Sequence, residues 1–80
     1  MSFVLQKHQQ QVLDAVQAYR SEIEEIEAHV RMRAMSNNVS DSELALLRRL
    51  KDEKSQILYR YENLVEAFKA VLGDINLAAE

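Results

Sequence analysis

Apolar residues return every three or four positions along most of this chain. Leu5, Val12, Val16, Tyr19, Ile23, Ile26 and Val30 mark one run, with polar Gln9 filling the remaining step. Such spacing keeps side chains on one stripe of an α-helix, so the run predicts a helix over about residues 3–35. A second run, Leu47, Leu50, Ile57, Tyr61, Leu64, Phe68 and Val71, has Lys54 as its one polar member. It predicts a second helix over about residues 41–72, ended by Gly73 as a left-handed cap, with 73–80 as a tail. At 1.5 Å per residue each helix is about 50 Å long.

Between the runs lies MSNNVSDSELALL, Met35 to Leu47. Ser40 and Glu43 match the S-x-x-E capping box, and Val39 with Leu44 is spaced as the hydrophobic staple that accompanies it. Asn37 and Asn38 tolerate the left-handed backbone that ends a helix without glycine. These features predict a turn over residues 36–40. A continuous rod fits poorly, because Leu47 falls 17 residues after Val30, three past two heptads, and a coiled coil passing through would need a stammer. A hairpin fits well. Opposite layers of an antiparallel pair carry residue numbers with a constant sum, and Val30 with Leu47, Ile26 with Leu50, Ile23 with Lys54, Tyr19 with Ile57, Val16 with Tyr61, Val12 with Leu64, Gln9 with Phe68 and Leu5 with Val71 all give 76 or 77.

The fold class is therefore all-α, a single domain over 1–80 forming a two-helix antiparallel coiled-coil hairpin. On one flank of this register Glu27 faces Lys51, Arg20 lies by Leu58, Leu13 by Val65 and Gln6 by Leu72. On the other, Glu22 approaches Glu53 with Lys54 between them, and His8 and His29 lie near Ala67 and Leu46. Two helices alone enclose no interior, and a second hairpin or partner helix is the usual remedy. The expectation is a four-helix bundle completed by dimerisation or by a partner. The predicted protein interface is the apolar face of the second helix with the start of the first: Leu13, Leu58, Tyr61, Val65, Phe68 and Leu72.

Composition narrows the function. With one Gly, no Pro and no Trp, nothing competes with helix. The absence of cysteine removes disulfides and thiolate metal sites. A net charge of -3 argues against a polyanion as the main partner. No signal peptide or transmembrane stretch is visible, and a cytoplasmic protein is expected. Arg31, Arg33, Arg48 and Arg49 gather at the turn end and offer a phosphate or RNA contact as an alternative. No aromatic is interleaved among them to stack on bases.

Chemistry is harder to find. YRSEIEEIEAHV, Tyr19 to Val30, resembles the first helix of the small all-helical chorismate mutases, which carry an arginine before a repeated acidic-isoleucine pattern. That resemblance covers about a dozen residues, and the family also needs a third helix and further substrate contacts. Glu25 and His29 share a helical face, but the inward Glu-x-x-His spacing of ferritin-like metal sites is absent, since Ile26 precedes His29 by three. No catalytic residues, cofactor, metal or small-molecule substrate are expected. In length and layout the chain resembles the short hairpin subunits and chaperones of type III secretion systems, without the proline-containing turn of the needle subunits. The expected function is non-enzymatic protein interaction, as a homodimer or with a helical partner. A secretion chaperone, an assembly subunit or a phage-encoded inhibitor of a host protein are heteromeric forms of the same role.

Overall fold

The computed structural model describes residues 3–36 and 40–79, with side chains through 74. Helix α1 spans Phe3–Ala34 and helix α2 spans Asp41–Ala79, packed against each other as an all-helical hairpin. The molecule measures 63 × 16 × 14 Å, a narrow rod. Asn37, Asn38 and Val39, on which the turn and the staple were placed, lie outside the described residues.

Helix α1 ends near its predicted position. Met35 N donates to Arg31 O at 3.2 Å and Ser36 N to Arg33 O at 3.0 Å, so the last turn tightens as it closes. Arg31 and Arg33 lie in that turn, where positive charge opposes the carbonyl end of the helix dipole. Helix α2 starts on its predicted cap: Glu43 N donates to Ser40 Oγ at 3.4 Å and Leu44 N to Ser40 O at 3.1 Å. The Glu43 carboxylate reaches across the hairpin, accepting from Arg33 Nε at 2.8 Å, and so ties the two helix ends together.

The end of α2 differs from the prediction. Gly73 does not cap the helix; no glycine has positive φ, and the backbone continues as helix through Ala79. A glycine inside a helix costs about 1 kcal/mol relative to alanine. Leu77, Ala78 and Ala79 further along are good helix formers, and continued hydrogen bonding offsets that cost. The predicted tail is therefore mostly helix.

The core sits along the α1 stripe as the spacing predicts, with Val12, Val16, Ile23 and Ile26 buried. On α2 the buried stripe is not the predicted one. Val65 and Leu72 are buried at 8% and 9% exposure, whereas Leu50, Leu64 and Val71 are exposed at 43%, 42% and 48%. The inward face runs through Leu44, Leu47, Lys51, Lys54, Leu58, Tyr61, Val65, Phe68 and Leu72, all buried or half-buried. It keeps the predicted row Leu47, Lys54, Tyr61, Phe68. It takes its second row from the other side: Lys51, Leu58, Val65 and Leu72 replace Leu50, Ile57, Leu64 and Val71.

A physical reason lies in the charges. Lys51 Nζ stands 3.5 Å from Glu27 Oε1, and Lys54 Nζ 3.0 Å from Glu22 Oε2. Turning Lys51 toward α1 gives it an acidic partner, and the same rotation carries Leu58, Val65 and Leu72 inward with it, since residues seven apart share a face. Single exposed ion pairs contribute only about 0–1 kcal/mol each. They suffice to choose between two rows of similar apolar content.

Candidate functional site

The residues expected to bind a partner are largely occupied by the hairpin itself. Val65 clusters with Val12 and Val16, and Leu58, Tyr61 and Phe68 pack against that cluster half-buried. Leu72 is also buried, and of the six only Leu13 is exposed. Leu58, Val65 and Leu72, expected beside the seam, thus lie within it, together with Tyr61 and Phe68, which were expected there.

What α2 leaves outside is the row Leu50, Ile57, Leu64, Val71. Ile57 is half-buried and the other three are exposed. The four are spaced seven apart, hence share one edge of the helix, and every one is apolar. Each inward row of α2 is interrupted by a lysine between apolar residues, Lys54 in one and Lys51, after Leu44, in the other. Helix α1 has no equivalent. Its two inward rows are flanked by Gln6, Leu13, Arg20 and Glu27 on one side and by His8, Ala15, Glu22 and His29 on the other. Helix α2 therefore has an apolar face three rows wide against two for α1.

The signal for this arrangement was present in the sequence. The predicted contact of Glu27 with Lys51 already implies that the row containing Lys51 faces α1, which displaces the Leu50 row outward.

Polar contacts fix the register on both flanks. Arg20 donates to Glu62 at 2.8 Å, about one turn along α2 from the neighbour expected for it. Tyr19 stacks on Tyr61 with ring centroids 5.8 Å apart and planes inclined by 23°. Lys54 Nζ lies 5.7 Å from the Tyr19 ring centre, so one cation serves both Glu22 and the ring. Such a polar member of a seam disfavours slipped registers. Glu53, expected beside Glu22, makes no ion pair among the described residues, and neither does Arg60.

The turn-end arginines are divided in role. Arg33 is held by Glu43 at 2.8 Å. Arg31 and Arg48 border one shallow groove with Glu27, Val30 and Lys51. Arg48 and Arg49 are exposed and, among the described residues, make no ion pair. Acidic side chains thus sit within the basic cluster.

The histidines take peripheral positions. His8 Nδ1 is 3.0 Å from Gln11 Oε1, and His29 Nε2 is 3.9 Å from Glu43 Oε1. Among the described residues no group of three His, Cys, Asp or Glu side chains is placed to hold a metal ion. A groove lined by Glu22, Ile26, His29, Met32, Leu47, Leu50 and Lys54, among others, is open to solvent. It continues the exposed α2 row toward the turn.

Family models, curated proteins and solved structures were all compared, and none matches this chain. Among the described residues no helix is long and apolar enough to cross a membrane.

Proposed function

We propose that this chain is a non-enzymatic protein-interaction module whose helix α2 presents its outer apolar row to a helix of a second copy or of another protein. The observation that carries the reading is the exposure of Leu50, Leu64 and Val71 on an edge that is apolar at four successive heptad steps, from Leu50 to Val71. A strict two-helix coiled coil needs two apolar rows, and a third row is the mark of a helix facing a bundle core. Seven-residue spacing matches a helical partner better than a loop or strand, because knobs and holes then repeat in step along both helices.

The core of the isolated hairpin supports the same reading. Among the described residues no side chain falls below 2% exposure, and a core this thin rarely supplies more than about 3–5 kcal/mol. Burying the outer row would add about 25 cal/mol for each Å² of apolar surface removed from water. Stability and partner choice are then carried by the same side chains.

The test is the mass of the assembly recovered from the native source, for the wild type and for Leu64→Glu. The expected result is a complex heavier than the 9.3 kDa chain that falls apart in the variant. A wild-type chain recovered at the mass of one copy contradicts the reading.

A further inference from the structure

Resting on that interaction reading, we infer that the partner is a second copy of this chain, packed α2 against α2 in antiparallel orientation about a two-fold axis at Ile57. Surface area is the first argument. The chain exposes 6320 Å², against ~5000 Å² for a compact monomer of its mass. An interface of about 800 Å² or more per copy is what a stable dimer needs, and the exposed row of α2 is apolar surface available to it.

Charge is the second argument, and it selects both the partner and the register. Glu53 and Arg60 are one heptad apart on the outer border of the apolar row, both exposed, and both without an ion pair among the described residues. In an antiparallel pair related by a two-fold axis, like borders of the two helices lie side by side. With the axis at Ile57, Glu53 meets the partner's Arg60 and Arg60 meets the partner's Glu53. The same register sets Leu50 against the partner's Leu64 and Ile57 against its own copy. Half a heptad further on, with the axis near Arg60, more apolar layers would pair, but Arg60 would face its own copy. Like charges directly opposed at an interface cost up to several kcal/mol. The Ile57 axis removes that repulsion and turns it into two ion pairs.

The experiment is a charge exchange followed by sedimentation of the purified full chain, with helix content checked by circular dichroism. Glu53→Arg and Arg60→Glu should each weaken the dimer at least about tenfold, and the double variant should recover it. Neither residue takes part in the hairpin's own ion pairs, so both single variants should stay helical. As an independent measurement, Ile57→Cys, in a chain with no other cysteine, should oxidise to a disulfide-linked dimer, whereas Arg60→Cys should not. A wild-type chain that is helical and monomeric overturns the second-copy proposal. So does a dimer whose double charge variant is weaker than both singles, or one cross-linked through Arg60→Cys and not Ile57→Cys. The interaction reading is judged separately: it survives a monomeric purified chain if the native assembly is heavier than one copy, and fails if it is not.

Discussion

Gly73 shows how a single residue is overruled by its surroundings. It lies within α2 at negative φ, and a Cβ built on it meets nothing within 4 Å. Gly73→Ala should therefore stabilise the protein by about 0.5–1 kcal/mol, from reduced freedom of the unfolded chain and better helix propensity. Chemical denaturation, read as a raised midpoint at unchanged slope, checks it. A loss of stability would mean that the backbone at Gly73 adopts the left-handed cap after all. Lys54 is the opposite case, a polar residue that its surroundings accommodate. Its ammonium is placed between Glu22 and the Tyr19 ring, and its half-buried stem fills the seam as a methylene chain.

At the scale of the element, the two faces of α2 have different duties although their residues alternate in sequence. Val65 packs with Val12 and Val16, while Leu64, one position earlier, points away. Val65→Glu should place an unpaired carboxylate in the core and unfold the hairpin, a loss of several kcal/mol. Leu64→Glu should break the association and leave a hairpin that is still helical, with a lowered unfolding midpoint. Circular dichroism on the two variants side by side decides this, and equal unfolding of both would contradict the separation of faces. Helix α1 is legible from its sequence almost residue for residue, because only one 3-4 stripe on it is apolar. The start of α2 is legible for a similar reason, since Ser40 offers the one capping oxygen at the right spacing. The buried row of α2 is not, because Leu44, Lys51, Leu58, Val65 and Leu72 match Glu43, Leu50, Ile57, Leu64 and Val71 in apolar content. Apolar periodicity alone does not choose between them. Cross-helix charge separates the two, and the contact that does so, Glu27 with Lys51, is itself evident from spacing.

For the whole molecule, the consequence is a hairpin that keeps one of two comparable apolar rows of α2 inside and the other outside. A 63 Å rod two helices thick cannot shield three rows of α2 with two rows of α1, and the excess must be hidden from water or remain an aggregation hazard. The proposed dimer about Ile57 would hide Leu50, Ile57 and Leu64 and bring Glu53 to the partner's Arg60. Folding and association would then be linked, because a pair of marginal hairpins draws stability from its own concentration. The most direct measurement is the thermal unfolding midpoint of the purified chain across a hundredfold range of concentration. The account expects the midpoint to rise steadily with concentration; a midpoint that stays constant, with helix content fully retained below it, would contradict the account.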